Sequence, residues 1–209
     1  MAMPEKVQDE FGYALHLAQG GGKHPNAKPL KGQGFTGAGV LEVVDNFHGD
    51  TYRAVYTVRF ANAVYVLHCF QKKSTQGIAT QKHEIELIKS RLNAVENSLG
   101  GPAMIEIEES SGNVYEDLQR PDAKAMFVKA RLADKIADII RSRRLSQQQA
   151  AEVLGIPQPK LSGLLRGQFR GISEAKMIEC LNRLGRDVEI VIRKAPRSHP
   201  QGHTQVVYG

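Results

Sequence analysis

Cysteine is scarce: Cys69 and Cys180 are the only two in 209 residues. Cys69 falls in a strand-like run and Cys180 in a helix-like one of what reads as a separate domain. A disulfide framework is therefore excluded, and both are expected as buried free thiols in a reducing compartment. No cluster has metal-ligand spacing, so neither a metal nor a cofactor is expected. No apolar run approaches the length needed to span a bilayer, and Glu5, Lys6, Asp9 and Glu10 stand where a signal peptide would be apolar. These absences predict a cytoplasmic chain with no membrane partner. Residues 24–39, HPNAKPLKGQGFTGAG, are rich in glycine, proline and lysine but lack the G-x-x-x-x-G-K-[ST] spacing of a nucleotide cradle. They are read as a long irregular loop.

What is present is a modest basic excess, net charge +6 with a sequence pI near 9.3. It occurs in both halves and favours a polyanionic partner. Length and local composition indicate two domains.

In the first half, residues 4–19 predict a helix whose Val7, Phe11, Ala14, Leu15 and Ala18 line one face, ended by Gly20, Gly21 and Gly22. Residues 40–44, 51–60 and 63–70 are rich in Val, Tyr, Thr and Phe and are separated by turn signals, which predicts an antiparallel meander. Alternation puts Tyr52, Ala54, Tyr56, Val58 and Phe60 on one face of the middle strand, and Arg53, Val55, Thr57 and Arg59 on the other. In the next strand His68 shares a face with Val64, Val66 and Phe70, and Lys72 and Lys73 follow. Residues 81–99 close the half as a helix, with Ile85, Ile88, Leu92, Val95 and Leu99 inside and Lys89 and Arg91 outside.

The second half is organised around residues 145–167, LSQQQAAEVLGIPQPKLSGLLRG. Ser146 followed three residues later by Gln149 is a capping box that starts a helix. Ala150, Val153 and Leu154 give its buried face, and Gly155 ends it where a positive φ is needed. Ile156 plugs the turn, Pro157 and Pro159 suit a first helical turn, and Leu161, Leu164 and Leu165 give a second helix its stripe. Its outer face carries Gln158, Lys160, Ser162 and Arg166. This pairing is a helix-turn-helix, whose second helix enters the major groove, where Gln reads adenine and Lys or Arg reads guanine or phosphate. Ser146, Gln147, Gln158, Lys160, Ser162, Arg166 and Arg170 are the candidate DNA-binding residues.

A longer helix, residues 121–144, precedes this motif with Met126, Leu132, Ile136, Ile139 and Ile140 on one face. Another follows, capped by Ser173 and carrying Met177, Ile178, Leu181 and Leu184. Residues 187–193, DVEIVIR, alternate as a strand too short to be stable alone, which predicts pairing with a second copy. An acidic arm (Glu106, Glu108, Glu109, Glu116, Asp117), with a possible strand at 104–108, lies between the halves, and the Pro-, His- and Gly-rich residues 195–209 read as disordered. The resulting division is 1–99, a linker and arm at 100–120, a DNA-binding domain at 121–194, and a tail.

Residues 145–167 resemble the lambda-repressor-like (XRE) helix-turn-helix, and ISEAKMIECLNRLGRDVEIVIR, residues 172–193, is similar to the continuation in HigA-type antitoxins. TYRAVYTVRF followed by AVYVLHCFQKKSTQGIATQKHEIELIKSRL resembles the HigB branch of the RelE-like toxins, ribosome-dependent endoribonucleases that cut messenger RNA. The likeness covers residues 4–95. Relatives carry a further N-terminal segment, so the resemblance implies an incomplete toxin half. Met104, soon after Gly100-Gly101-Pro102, reads as the join of two reading frames. The implied fold is α+β: a small RelE-like antiparallel sheet with helices, then an all-α helix-turn-helix domain with a C-terminal strand.

Metal-free cleavage through the RNA 2′-hydroxyl needs a base, positive charge for the phosphorane, and an acid. The resemblance implies Arg and Lys plus a proton-transfer group, and the candidates here are Arg53, Arg59, His68, Lys72 and Lys73. The expected partners are a palindromic operator, mRNA on the ribosome for the toxin half, a second copy in a homodimer, and a toxin–antitoxin contact within or between chains. The alternatives are an active ribosome-associated RNase that docks through its helix-turn-helix, and a transcription regulator whose first half senses a ligand.

Overall fold

The computed structural model describes residues 3–32, 34–35, 39–58, 60, 63–72, 81–98, 108–195 and 202–208, and the chain divides into two units, Met1–Ser110 and Ser111–Gly209.

The first unit opens with α1 (Glu5–Gln19), which buries Val7, Phe11, Ala14, Leu15 and Ala18 and ends at Gly20. Strands β1 (Ala27–Pro29), β2 (Val40–Phe47), β3 (Asp50–Thr57) and β4 (Tyr65–Lys72) then form one antiparallel sheet in chain order, and α2 (Lys82–Ser98) follows. The sheet has a strand more than the meander read from the sequence. Ala27–Pro29, inside the stretch taken as an irregular loop, pairs with Leu41–Val43. A proline is tolerated there because β1 is an edge strand.

Residues 52–57 of β3 are all buried, so its alternation separates two packed faces rather than an inside from an outside. Val55 joins Val40, Leu67, Phe70, Ile88, Leu92 and Val95 in the cluster beneath α2. Tyr52, Ala54 and Tyr56 point the other way, and α1 packs on β2. Burial pushes the Tyr56 phenol up to about 12.

The second unit contains α3 (Val114–Asp117), α4 (Ala123–Ser142), α5 (Gln147–Leu154), α6 (Gln158–Leu164) and α7 (Glu174–Arg183). Here α4 packs on α3 and α7, and α5 on α6 and α7. The face expected of the long helix, Met126, Leu132, Ile136, Ile139 and Ile140, is buried.

Three expectations are corrected. Glu116 and Asp117 are not part of a solvated arm: they sit in α3, which the Asn113 side chain caps and which buries Val114 and Tyr115. Residues 187–193, expected to pair with a second copy, form no strand in the single chain, and Ile190 and Ile192 are 77% and 93% exposed. The described tail residues 202–208 are held on α4, where Arg131 Nη2 donates to the Val206 carbonyl at 3.2 Å and the Tyr208 hydroxyl donates to the Arg131 carbonyl at 2.5 Å. Arg131 and Lys135 also lie over the Tyr208 ring, 4.7 and 5.0 Å from its centroid. Finally, Cys180 is buried but Cys69 is exposed on β4. The expected strand at 104–108 and the Met104 join lie outside the described residues. No helix among the described residues is long and apolar enough to cross a membrane.

Candidate nucleic-acid interface

The second unit presents its polar side chains through two short helices and the turn between them. At the start of α5, Ser146 Oγ accepts from the Gln149 N–H at 3.2 Å while the Gln149 side-chain oxygen accepts from the Ser146 N–H at 2.9 Å. Two backbone groups that the first turn would leave unpaired are thus satisfied. Gly155 ends α5 at φ 63°, a conformation open to glycine at little cost. Ile156 is buried beneath the turn, and Pro157 caps α6 with Pro159 in its first turn. Leu161 and Leu164 then anchor α6 from below; Gln158 and Ser162, four positions apart, share its opposite side, and Lys160 is exposed on the flank nearer Cys180 of α7. Val153, expected in the buried face of α5, is exposed; Ala150, Ala151 and Leu154 do the packing.

Gln158 is fixed in place, because its Nε2 donates to Gln147 Oε1 across the two helix starts. Arg166 Nε donates to the Ser162 carbonyl at 3.3 Å, which lays its side chain along α6. Arg170 reaches back to Asp122 at 3.0 Å, at the start of α4. Ser146, Gln147 and Gln158 therefore stand together and exposed, Lys160 is exposed on another flank of α6, and Arg166 and Arg170 have protein partners.

In the first unit the expected catalytic set separates. Arg53 is buried in an ion pair with Glu42 on the neighbouring strand, so it is not a projecting phosphate ligand. An uncompensated guanidinium in a sheet core would be too costly, and the strand supplies its counterion one ladder step away. His68 turns toward α2: its Nε2 lies 2.6 Å from Glu84 Oε2, and Arg91 Nη1 is 3.1 Å from its Nδ1. Lys72 ends β4 beside a cavity of about 210 Å³ lined by Phe70, Gln71, Gln81, His83 and Glu84. Arg59 and Lys73 lie outside the described residues. Among the described residues no group of His, Cys, Asp or Glu is placed to hold a metal.

Residues 114–193 match a family of helix-turn-helix domains. A solved structure named as an XRE family transcriptional regulator is 45% identical over 43% of this chain and 100% of its own, with a TM-score of 0.40. The chain belongs to the XRE family. Its first unit is similar to another group, since residues 1–93 match the phage-derived Gp49-like proteins (DUF891). No curated protein matches the chain.

As an XRE protein the chain carries a DNA-binding helix-turn-helix, and the match begins at α3, whose packing on α4 makes it part of that domain. Sequence reading passed over the residues that hold the candidates in place: Gln147 as a brace for Gln158, and Glu84 and Arg91 around His68. The second pair left a signal, because positions seven apart on a helix share a face, and Glu84 and Arg91 flank the buried Ile88.

Proposed function

We propose that this XRE protein is a toxin–antitoxin module in one chain. The second unit is a HigA-like antitoxin that binds a palindromic operator as a homodimer and represses its own operon. The first unit is a HigB-like, ribosome-dependent mRNA endoribonuclease, restrained by the second unit within or between chains. The observation that carries this reading is the exposed start of α6, with Gln158 braced by Gln147. A Gln side chain fixed in this way reads adenine in the major groove, and Lys160 adds a contact to guanine or phosphate. Ser146, Ser162, Arg166 and Arg170 complete the DNA-contacting set.

The toxin role is supported by the RelE-like resemblance of residues 51–92 and the Gp49-like match. In this reading Arg59, Lys72 and Lys73 hold the scissile phosphate and His68 belongs to the proton-transfer site, while Arg53 is left to its ion pair in the sheet. The dimer is supported by the bare apolar residues 187–193.

The test is binding to the DNA upstream of the gene. Gln158→Ala with Lys160→Ala should lower specific affinity by about 1 to 3 kcal/mol for each lost base contact. Equal gel-shift curves for wild type and double variant on that DNA would remove the repressor assignment.

A further inference from the structure

In the second unit α4 and α7 end in the same way. After α7, Leu184 caps the helix, Gly185 follows at φ 67°, and the N–H groups of Gly185 and Arg186 donate to the Asn182 and Leu181 carbonyls at 2.8 and 3.0 Å. After α4, Arg143 caps the helix, Arg144 follows at φ 53°, and the N–H groups of Arg144 and Leu145 donate to the Arg141 and Ile140 carbonyls at 3.0 and 3.1 Å. The left-handed position that ends such a helix favours glycine, because a Cβ there is strained. At the end of α4 it carries the longest cationic side chain instead.

The arginines beside it are engaged. Arg141 pairs with Asp138 at 2.7 Å, and Arg143 Nη2 donates to the Leu184 carbonyl at 2.8 Å. Both already set positive charge against the last turn of α4, so the helix dipole does not account for a third cation. Arg144 is exposed, and its guanidinium has no partner among the described residues. Backbone strain retained at such a position points to a use for the side chain outside the fold.

Its place in the chain indicates that use. Arg144 stands two residues before Ser146, at most about 7 Å of extended chain, and so beside the start of α5, which the Gln147–Gln158 bond ties to the start of α6. With α6 in the major groove, the helix before it meets the sugar–phosphate backbone at the groove's edge. Resting on the DNA-binding reading of the second unit, and not on the toxin reading of the first, we infer that Arg144 binds a backbone phosphate of duplex DNA. It is a positioning contact: it holds α6 in register without distinguishing one sequence from another.

The experiment measures binding of the full chain to the DNA upstream of the gene and to a scrambled duplex of equal length, from about 0.05 to 0.2 M salt. Arg144→Gly removes the guanidinium and relieves the backbone together. Its affinity for both duplexes should fall by roughly fivefold to tenfold near 0.1 M salt, and the slope of log affinity against log salt should become shallower by about 0.9 for each bound chain. Its melting temperature should equal or exceed that of wild type, which separates lost binding from lost fold. Arg144→Lys keeps the charge and should keep the slope. Lys124→Ala removes an exposed charge at the other end of α4, about 30 Å away by helix length, and should leave the slope unchanged. A wild-type slope in Arg144→Gly, an equal loss in Lys124→Ala, a loss confined to the upstream DNA, or a lowered melting temperature overturns the inference and leaves the operator reading standing. Failure of the wild-type chain to bind either duplex overturns both.

Discussion

Nε2 of Gln158 donates a 2.8 Å hydrogen bond to Oε1 of Gln147, joining the first residues of α5 and α6. Both residues are exposed, so the bond spends little on burial and acts on side-chain freedom. It removes rotamers that Gln158 would otherwise lose on meeting a base. Gln147→Ala is therefore expected to weaken operator binding by about 1 kcal/mol, near the net worth of one hydrogen bond. Binding to unrelated DNA, dominated by phosphate contacts, should not change. Gel shifts on operator and scrambled duplexes check this; equal loss on both would make the pair a support of the fold alone.

Gly155 is the position where the helix-turn-helix tolerates least. At φ 63° any other residue is strained, and a Cβ there would run into the Arg183 guanidinium. The Arg183 side chain is flexible, so the clash is relieved by moving it off the turn and away from Glu179, with which it pairs at 2.9 Å. Gly155→Ala should cost about 1 kcal/mol or more, chiefly from backbone strain. In a urea-unfolding cycle Arg183→Ala should recover only a small part of that cost. Full recovery would assign the penalty to the clash.

The helix-turn-helix was legible because each of its signals is local. The cap Ser146–Gln149, the glycine at the turn and the leucine spacing all act within a few residues. The sheet was legible in outline for the same reason, although β1 has only Ala, Lys and Pro to announce it. What escaped was everything decided by a distant partner. Arg53 looked outward-facing because alternation cannot say that both faces of β3 are covered, or that Glu42 reaches it diagonally from β2. His68 was singled out as a proton-transfer candidate, but its orientation is set by Glu84 and Arg91, sixteen and twenty-three positions away. Tyr208 stayed hidden in a tail of turn-forming residues because its partner, Arg131, is seventy-seven positions upstream.

The Arg53–Glu42 pair gives a third expectation. Both side chains are largely buried, and removing one partner takes the close counter-charge from the other. Glu42→Leu or Arg53→Met alone should destabilise the first unit by roughly 3 to 5 kcal/mol. Replacing both by apolar residues of similar size, Arg53→Met with Glu42→Leu, should cost far less. Denaturation of the four proteins checks the cycle; a double variant as unstable as the sum of the singles would contradict the pairing.

Asp134, on α4, supplies a pH dependence. Burial raises its pKa above the ordinary 3.8, Asp138 raises it further, and Arg141, Arg131 and Lys135 pull it down by less. Since the folded chain holds the proton more tightly than the unfolded one, this group's contribution to stability is fully present below pH 3.8. It is lost as pH rises through the raised value. Asp134→Asn removes that loss. The variant should be more stable than wild type at pH 7, and the difference should close as the pH falls toward 3.8. Paired thermal melts across that range check it; a gap that stays constant with pH would exclude the carboxyl as its source.

The last expectation concerns residues 187–193. Ile190, Val191 and Ile192 are 77%, 57% and 93% exposed, at the end of a domain whose other large apolar side chains are mostly buried. Backbone groups in an extended segment seek a ladder, and a palindromic operator calls for two copies related by a twofold axis. Two such segments pairing antiparallel about that axis satisfy both demands, with Ile190 and Ile192 on one face of the new ribbon. Ile192→Asp puts a charge on that face and should shift the chain from dimer to monomer in sedimentation at micromolar concentration. Because Ile192 is 93% exposed in its own chain, thermal stability of the monomer should not fall. Operator affinity should drop by the loss of the second half-site, while binding to an isolated half-site stays the same. A variant that remains dimeric would move the twofold contact elsewhere.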